Sequence, residues 1–446
     1  MKENTIVKFG GSSINNAEKI EIACSTISTF VNRGENVVAV ISAVRNVTNV
    51  LKQTADCITV NNVKECISNC SEQLLQHHRH SPLTAQDLHD LERLFKLYVQ
   101  SGKKLWIEDA LLVKGEEFSA RNFAQTLNDR GIATVFLNFD NPDFPTVVHG
   151  FFGNARVDLE TTKTQCESMT PYFKEHRCIC IPGFGGVDRD SGRVKTLRRG
   201  GSDAVAIALC YGFSAHAFWM MTDVHGIKRA YTPHLTNAPT IPVISVDELR
   251  DAGIYGAKVP NEIAIRPLML YCPPTTFIVK YDGVELASTQ IVLNRDTDAS
   301  HPVELAAQRE VIIYAFEGLH LHATISALES QLDQKMIDFL SLGGGDYTRK
   351  LAIPSDQESY VDAIVSSYTG RLDMYKSHNS LVGIVGKGMA KVPGIIAKMG
   401  NALAKGKINI YYQFDVSPIS CGVIVDKHQA ESAVELLFEA FNLGTF

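Results

Sequence analysis

Short β-branched runs that alternate with segments of helical periodicity are the feature that most restricts how this chain can fold. Residues 5–9 and 37–41 are typical of buried strands, and the apolar residues between 18 and 33 recur at the spacing of a helix. The alternation continues, and it predicts a helix near 109–130, strands at 133–139 and 178–181, a helix at 202–211 and a strand at 217–221. This order predicts an α/β fold in which a mostly parallel sheet lies between helices. A polar, helix-like stretch at 46–108 predicts either an inserted helical subdomain or an elaborated crossover.

The pattern changes after residue 293, where a polar break at 294–298 is typical of a linker. Beyond it we predict two tandem βαββαβ units of the ferredoxin-like type. The first has strands at 311–316, 336–341, 348–353 and 371–375 and helices at 322–334 and 357–368. The second has strands at 381–385, 408–413 and 420–425 and helices at 392–404 and 428–441, with no room for a fourth strand. The predicted domains are therefore 1–296, 310–377 and 378–446, with a linker at 297–309.

Charge and cysteine usage exclude several classes of protein. The chain of 446 residues has 43 Lys and Arg against 49 Asp and Glu, and a formal charge of −6 leaves no overall basic field for a nucleic acid. No run of about 18 apolar residues is present and the N-terminus lacks the apolar segment of a secretion signal, so we expect a cytoplasmic protein without a membrane segment. The ten cysteines form no CxxC pair, which favours free thiols and no metal site.

Three motifs lie where a strand gives way to a turn or a helix. Residues 8–13 read K-F-G-G-S-S, in which paired glycines and a lysine suit a phosphate, although a plain turn has the same composition. Residues 197–203 read L-R-R-G-G-S-D at a predicted helix start, where two arginines favour an anion over simple capping. Thr222 and Asp223 end a strand, and ligands bind at the carboxyl ends of strands in open α/β sheets.

Taken in their order along the chain, these motifs resemble those of the aspartate kinases in the amino-acid kinase family. The matching segments are K-F-G-G-S-S at 8–13, S-A-x-x-x-x-T at 42–48, G-E-x-x-S at 115–119, G-F at 183–184, R-G-G-S-D at 199–203, T-D-V-x-G-I at 222–227 and G-A-K-V at 256–259. The run at 385–394 is similar to the opening of the second ACT domain of those enzymes. The resemblance implies an amino-acid kinase catalytic domain at 1–296 and ACT domains at 310–377 and 378–446.

The resemblance also implies an activity, namely phosphoryl transfer from ATP with Mg²⁺ to the β-carboxylate of L-aspartate, the first step towards lysine, diaminopimelate, threonine and methionine. By that resemblance Lys8 and Asp203 are catalytic, with Asp203 holding Lys8 against the transferring phosphoryl group. Arg199 would bind the α-carboxylate of aspartate and Glu116 its ammonium group. The full substrate set is Ser42, Thr48, Glu116, Arg199 and Ser202, and the nucleotide set is Lys8, Gly10, Gly11, Ser12, Thr222, Asp223 and Lys258.

The ACT pair implies control by an amino acid, with lysine as the first expectation, and assembly into a homodimer or higher homo-oligomer. Asp338 aligns with an acidic effector ligand, although an Asp also suits a helix–strand turn. Some positions depart from the family pattern and cluster on the expected nucleotide side, namely Arg198, Ala204, Lys228 and P-N-E at 260–262.

Two other functions remain open on the sequence. Another amino-acid kinase, such as an acetylglutamate or nucleoside-monophosphate kinase, would lack the ACT tail and would not need both Glu116 and Arg199. A catalytically silent amino-acid sensor would keep the ACT pair, but this chain also retains Lys8 and Asp203, which a sensor does not need. Turnover separates the three, because a sensor consumes no ATP and a related kinase uses another acceptor.

Overall fold

The fold is that of a computed structural model, which describes residues 3–78, 82–197, 200–260, 262–280, 288–296, 301–318, 321–335, 337–345, 347–368 and 373–444. The chain divides into two compact units. The first comprises residues 1–226, 242–246 and 260–293, and the second comprises 227–241, 247–259 and 294–446. Two short segments of the predicted 1–296 domain, 227–241 and 247–259, therefore belong with the C-terminal part of the chain.

The β-branched and apolar runs form strands, as their composition predicts. In chain order the strands as far as residue 292 are β1 (Asn4–Phe9), β2 (Asn36–Ile41), β3 (Thr134–Phe136), β4 (Val147–Phe151), β5 (Asn154–Val157), β6 (Cys178–Pro182), β7 (Gly185–Asp188), β8 (Val194–Thr196), β9 (Ala217–Thr222), β10 (Val243–Ser245), β11 (Thr275–Lys280) and β12 (Ser288–Val292). The strand predicted at 133–139 is shorter than expected, because only residues 134–136 pair with β6.

Helices alternate with these strands. As far as residue 270 they are α1 (Ala17–Asn32), α2 (Val47–Cys57), α3 (Val63–His77), α4 (Ala85–Gln100), α5 (Leu105–Leu112), α6 (Lys114–Asp129), α7 (Leu159–Ser168), α8 (Tyr172–Glu175), α9 (Gly201–Gly212), α10 (Val246–Ile254) and α11 (Glu262–Leu270). The Asn16 side chain caps α1 by accepting from the Lys19 N–H at 2.9 Å, and Thr84 forms a capping box with Asp87 at the start of α4.

An eight-stranded sheet in the order β10-β12-β11-β9-β1-β2-β6-β3 forms the centre of the first unit. Its pairs are parallel except for β11 with β12, so the predicted α/β architecture is confirmed. A separate four-stranded sheet, in the order β5-β4-β7-β8, belongs to the same unit. The helices α2 to α5 do not form a separate subdomain, because Leu51, Leu74, Leu91 and Phe95 are buried in the same apolar core as Phe9 of β1.

The second unit repeats a strand–helix pattern around one further sheet. Beyond residue 300 its elements are β13 (Leu305–Glu317), α12 (Leu321–Gln334), β14 (Leu340–Ser341), β15 (Thr348–Pro354), α13 (Glu358–Val365), β16 (Asp373–Val385), α14 (Ile395–Lys405), β17 (Tyr412–Phe414), β18 (Ser420–Asp426) and α15 (Ala430–Ala440). The helices α12 and α13 contribute to an apolar cluster with Ile312 and Phe316, and α14 and α15 to another with Val382 and Val423.

Two long strands join the halves of this six-stranded sheet, whose order is β14-β15-β13-β16-β18-β17. β13 and β16 are 13 residues each and pair antiparallel throughout, from Leu305 opposite Val385 to Glu317 opposite Asp373. Residues 311–317 of β13 pair on their other side with β15, whereas residues 379–385 of β16 pair with β18. The first half of β13 therefore supplies the strand that the second tandem unit lacks in its own sequence.

Three sequence expectations about this region differ from the structure. The separate strands expected at 371–375 and 381–385 belong to one strand from residue 373 onwards, because residues 376–380 continue the pairing with β13, while residues 371 and 372 lie outside the described part of the chain. Residues 305–309 of the expected linker at 297–309 begin β13, while residues 297–300 lie outside the described part of the chain. The strand expected at 336–341 is reduced to Leu340–Ser341, since only these two residues pair with β15, and residue 336 is not among those described.

A buried carboxylate ties three segments of the second unit together. Glu248 on α10 is fully buried and accepts two guanidinium N–H groups of Arg295, each at 2.7 Å, and the backbone N–H of Lys387 at 2.8 Å. Arg295 also contacts Glu304 at 2.7 Å, and Glu304 pairs with Arg229 at 3.0 Å. Buried charges are tolerated only when they are paired in this way.

We expect Glu248→Ala to lower the free energy of unfolding by about 3 kcal/mol, because it removes the acceptor of the Lys387 amide and leaves Arg295 with Glu304 alone. The measurement is urea unfolding followed by circular dichroism. Asp333→Ala, which removes an exposed carboxylate from α12, is the matched control and should leave the transition unchanged. Equal midpoints for the two variants would contradict a stabilising role for the Glu248 contacts.

Candidate active site

The carboxyl ends of four parallel strands bring the predicted motifs to one edge of the large sheet. β1 lies between β2 and β9 and pairs with both, so that Phe9 is opposite Ile41 and Met221. β2 pairs in turn with β6, which ends at Pro182. The segments that follow these strands therefore leave the sheet at the same edge, which is where open α/β sheets bind ligands.

An ion pair between Lys8 and Asp203 lies at this edge. The Nζ atom of Lys8 is 2.6 Å from Oδ1 of Asp203, and only 11% and 20% of the two side chains are exposed. Asp203 is in the first turn of α9, where the helix dipole favours a negative charge, and Gly200 precedes the helix with a φ of +83°. A Cβ on Gly10 would lie 3.5 Å from Lys8 Nζ, so the ammonium group is beside the glycine turn.

Glycine is required where the first two loops meet. A side chain on Gly11 would place its Cβ 2.1 Å from the carbonyl oxygen of Ala43, a distance that no other residue can adopt. The loops are also joined by their backbones, since the Ser42 N–H donates to the Phe9 carbonyl at 3.1 Å and the Arg45 N–H to the Gly11 carbonyl at 3.2 Å. The predicted residues Gly11 and Ser42 thus belong to one packed pair of loops.

The loop after β6 packs in the same way against the start of α9. The Gly183 N–H donates to the Ile41 carbonyl at 2.9 Å, and a Cβ on Gly183 would lie 2.6 Å from Cβ of Ser202. On the other side of β1, Thr222 Oγ1 accepts from the Val224 N–H at 3.3 Å and closes the turn that follows β9. Ser202 and Thr222 are therefore both placed by contacts to the ends of strands.

Glu116 is a buried carboxyl group in the first turn of α6. Burial raises its pKa to about 8, against the opposing effect of a hydrogen bond from the Ala43 backbone amide. Its Oε2 atom has no hydrogen-bond partner among the described residues. Ser119 holds this turn against the loop after β2, because its Oγ accepts from the Val44 N–H at 3.1 Å and donates to the Gly115 carbonyl at 2.8 Å. An unpartnered buried oxygen is a ready acceptor for a ligand that donates hydrogen bonds.

Ser13 presents a second unpartnered polar atom, one that the sequence motif did not distinguish from Ser12. The Ser13 hydroxyl is buried and bonds to no atom in the part of the chain that the structure describes. Ser12 instead uses its carbonyl to accept from Lys19 Nζ at 2.7 Å. Both serines stand in the K-F-G-G-S-S run, and burial alone separates them, so no sequence signal could have chosen between the two.

The remaining predicted residues have different surroundings. Thr48 is half-buried in the first turn of α2, and Asp223 is exposed after β9. Arg199, like Arg198, lies outside the described residues. Lys258 belongs to the second unit, with its Nζ 5.9 Å from the ring centre of Tyr231.

Asp338 also belongs to the second unit, where Gln357 contacts it twice. The Asp338 N–H donates to Gln357 Oε1 at 2.9 Å, and Gln357 Nε2 donates to Asp338 Oδ2 at 3.1 Å. These bonds link Asp338 to the 3-10 turn at Ser355–Gln357, which precedes α13.

Asp109 is a buried carboxyl group that the sequence analysis did not single out. It accepts the N–H groups of Gly153 at 2.8 Å and Thr196 at 2.9 Å, and the Thr196 hydroxyl at 2.9 Å. Burial raises its pKa to about 6 in spite of these bonds. Asp109 thus fastens α5 to the end of β8, directly before the 197–203 motif. The sequence signal that could have identified Asp109 is the acidic pair Glu108-Asp109 inside the otherwise apolar α5.

The described residues also bear on metal and membrane sites. Within them, no group of three or more His, Cys, Asp and Glu side chains is placed to hold a metal ion. All ten cysteines are free thiols. No helix in the described ranges is long and apolar enough to cross a bilayer.

Comparisons with known proteins point to one family. The sequence profile of the amino acid kinase family matches residues 4–278, and that of an ACT domain matches residues 382–441. The aspartokinase of Geobacillus stearothermophilus is 25% identical over 455 residues, which cover 98% of this chain and 97% of the relative.

Solved structures share the fold. The crystal structure of E. coli aspartokinase III with aspartate and ADP gives a TM-score of 0.82 at 19% identity, and covers 98% of this chain and 99% of that one. The same enzyme with lysine and aspartate gives 0.71 at 19% identity, and covers 99% of this chain and 100% of that one. Since the family profile spans more than half of its residues, this chain belongs to the amino acid kinase family.

Proposed function

We propose that the chain is an aspartate kinase, which transfers the γ-phosphoryl group of ATP to the β-carboxylate of L-aspartate and forms 4-phospho-L-aspartate. The observation that carries this proposal is the buried Lys8–Asp203 ion pair beside the Gly10-Gly11 turn. Similarity to aspartokinases over nearly the whole chain supports aspartate as the acceptor. The buried Glu116, whose Oε2 faces no described partner, is suited to the ammonium group of a free amino acid.

The reaction requires positive charge that compensates the two approaching anions, and it does not require a general base. A carboxylate oxygen of aspartate bonds to the γ-phosphorus while the bond from that phosphorus to ADP breaks. The acceptor is already ionised at neutral pH, so no proton has to be removed from it. Two anions must approach each other, and Lys8, held by Asp203, supplies a fixed positive charge where they meet.

The nucleotide is expected to bind through the backbone of the glycine turn. The amides of Gly10 and Gly11 are suited to phosphate oxygens, and the buried Ser13 hydroxyl is a further donor on the same turn. Mg²⁺ supplies additional positive charge when ATP carries it on its phosphates. Roles on the nucleotide for Ser12, Thr222, Asp223 and Lys258 remain proposals from the family resemblance.

The amino-acid substrate is expected beside α6 and α9. In this proposal Glu116 receives the ammonium group, Arg199 the α-carboxylate, and Ser42, Thr48 and Ser202 orient the reacting carboxylate. Ser42 follows the end of β2, and Ser202 packs against Gly183, which follows the end of β6. Glu116 is joined to the loop after β2 through the Ala43 amide. Three elements of one sheet edge would thus surround the acceptor.

Control by an amino acid forms part of the proposal. Lysine is the first candidate for the effector, and Asp338 is the proposed ligand to it, because the ACT profile matches this chain and E. coli aspartokinase III has been crystallised with lysine. We also propose a homodimer or higher homo-oligomer in the cytoplasm, a compartment that suits ten free thiols. Light scattering should give at least twice the 49.1 kDa mass of one chain.

A silent sensor and a kinase with another acceptor are the competing functions. A sensor needs only an amino-acid site, and it gives no reason for a Lys8–Asp203 ion pair beside a glycine turn at the end of β1. A kinase for an N-acylated or nucleotide acceptor would have no ammonium group to place at Glu116. Both alternatives predict no aspartate-dependent turnover.

The direct test is ATP turnover by the purified chain with Mg²⁺ and hydroxylamine, which traps acyl phosphates as hydroxamates. We expect hydroxamate with L-aspartate and none with L-glutamate, N-acetylglutamate or UMP, and we expect lysine to lower the rate. ATP consumption with another acceptor would identify a related kinase. Amino-acid binding without ATP consumption would identify a sensor.

We expect Lys8→Ala to lower kcat about 100-fold or more, because the ammonium charge acts mainly in the transition state. Asp203→Asn should lower kcat as well, since it removes the partner that holds Lys8. The measurement is the hydroxamate assay at saturating ATP and aspartate. Lys64→Ala, which removes an exposed lysine from α3, is the control. A near-normal kcat for Lys8→Ala would remove Lys8 from the catalytic set.

The raised pKa of Glu116 predicts that the affinity for aspartate depends on pH. With its pKa raised to about 8 by burial, the free enzyme holds Glu116 mostly protonated below that pH, and pairing with an ammonium group requires the ionised form. The KM for aspartate should therefore fall about 25-fold between pH 6.5 and 8.5, because the ionised fraction of Glu116 rises by about that factor over this range. Glu116→Gln should raise KM and remove this trend, whereas the exposed control Glu72→Gln should keep it. An unchanged slope in Glu116→Gln would refute the assignment.

A further inference from the structure

Two cysteine side chains on consecutive helices of the first unit lie in contact with each other. Cys57 is the last residue of α2 and Cys66 is in the first turn of α3, and their Sγ atoms are 3.8 Å apart. The sulfur atoms of a disulfide are bonded at about 2.0 Å, so these two atoms need to approach by less than about 2 Å to form one. Neither cysteine has a part in the proposed kinase reaction.

A short, hydrogen-bonded connection between the two helices keeps the thiols together. The Asn62 side chain donates to the Cys57 carbonyl at 3.1 Å, and it accepts from the Thr59 N–H at 2.6 Å and from the Thr59 hydroxyl at 2.9 Å. Ile58, which follows Cys57, is fully buried in the apolar core of the first unit. The second thiol is therefore held beside the first, which favours a reaction between them over a reaction with a separate molecule.

Exposure distinguishes this pair from most of the other thiols. Cys57 is exposed and Cys66 is half-buried, whereas seven of the ten cysteines are buried. Cys272 is also half-buried, and its Sγ atom lies 3.8 Å from the carbonyl oxygens of Pro273 and Ile291. Buried thiols are inert towards reagents in solution. A dissolved oxidant therefore reaches the Cys57–Cys66 pair, while the core thiols are protected.

The ammonium group of Lys103 lies at the same end of α2. Its Nζ atom donates to the carbonyl oxygens of Ala55 at 3.0 Å and Asp56 at 2.9 Å. Burial and the contact with Cys57 raise the pKa of the Cys66 thiol, and the positive charge of Lys103 opposes this rise. The thiolate is the form that attacks a disulfide, so Lys103 favours thiol–disulfide exchange at this pair.

A metal site is the other common use of paired thiols, and the surroundings do not favour it. Structural zinc takes four protein ligands and catalytic zinc three. In the described part of the chain, no group of three or more His, Cys, Asp and Glu side chains is placed to hold a metal ion. Two adjacent thiols without a third ligand match the requirements of a disulfide instead.

We propose that Cys57 and Cys66 form a reversible intramolecular disulfide by exchange with a low-molecular-weight disulfide such as oxidised glutathione. The thiolate of one cysteine attacks a sulfur of the oxidant, whose S–S bond breaks, so that a mixed disulfide forms and one thiolate leaves. The thiolate of the other cysteine then attacks the protein sulfur of the mixed disulfide and releases the second half of the oxidant. The two protein thiols are oxidised, the oxidant is reduced to two thiols, and the two protons lost by the cysteines pass to them.

The test is incubation of the full, folded chain with oxidised glutathione, followed by acid quenching, unfolding and alkylation of the remaining thiols. We expect the number of thiols to fall by two from ten, and to recover when dithiothreitol is added in excess. Trypsin cuts between the two cysteines at Lys64, so mass spectrometry should find the peptide 53–64 linked to the peptide 65–79.

Single substitutions identify the two sulfur atoms of the bond. Cys57→Ser and Cys66→Ser should each abolish the linked peptide and leave one glutathione on the remaining cysteine, because the thiol that resolves the mixed disulfide is missing. Peptide 65–79 also contains Cys70, so Cys70→Ser should keep the link. Cys272→Ser removes a half-buried thiol outside the pair and is the matched control, which should still lose two thiols.

The proposal is overturned if all ten thiols persist, if glutathione stays on both cysteines without a link, or if the loss of two thiols disappears in Cys272→Ser. A linked peptide that survives in Cys66→Ser would also overturn it, because the bond would then involve Cys70. The thiol count and the linked peptide of the parent chain do not depend on the folding of any variant. The assay contains neither ATP nor aspartate, so its outcome is independent of the kinase proposal.

Discussion

The parallel pairing of β1 between β2 and β9 is the constraint on which the arrangement of the first unit depends. This pairing places Phe9 opposite Ile41 and Met221, so that the loops after β1, β2 and β9 leave the sheet at the same edge. Lys8, one residue before the end of β1, is thereby held within reach of the first turn of α9, where Asp203 receives it at 2.6 Å. Because a Cβ on Gly11 would clash with the Ala43 carbonyl, only glycine lets the loops after β1 and β2 pack in contact beside this ion pair.

Buried carboxyl groups have contrasting roles in the two units. Glu248 in the second unit is saturated by Arg295 and a backbone amide, and such a group contributes to stability because its charge is compensated within the protein. Glu116 in the first unit keeps one oxygen without a described partner, and its pKa is raised to about 8 by burial. The first arrangement is complete without a ligand, whereas the second is completed by one, in our proposal the aspartate ammonium group.

The long strands β13 and β16 give the second unit a different organisation from two independent repeats. Because they pair along 13 residues, the two halves share one sheet and neither has a complete set of strands alone. Residues 311–317 of β13 pair with β15 on their outer side, and residues 379–385 of β16 pair with β18, so each long strand belongs to both halves.

The α/β class, the alternation of strands and helices and the glycine motifs could be predicted from the sequence alone, because hydrophobic period and turn composition are local properties of the chain. The sequence did not reveal that β13 begins at Leu305, since the polar run at 308–310 hides a strand whose pairing partner lies some 75 residues away. Nor could it choose Ser13 over Ser12 as the buried hydroxyl, or assign Lys258 to the second unit. Those outcomes belong to the tertiary structure, because burial and hydrogen-bond partners depend on which distant segments are brought together.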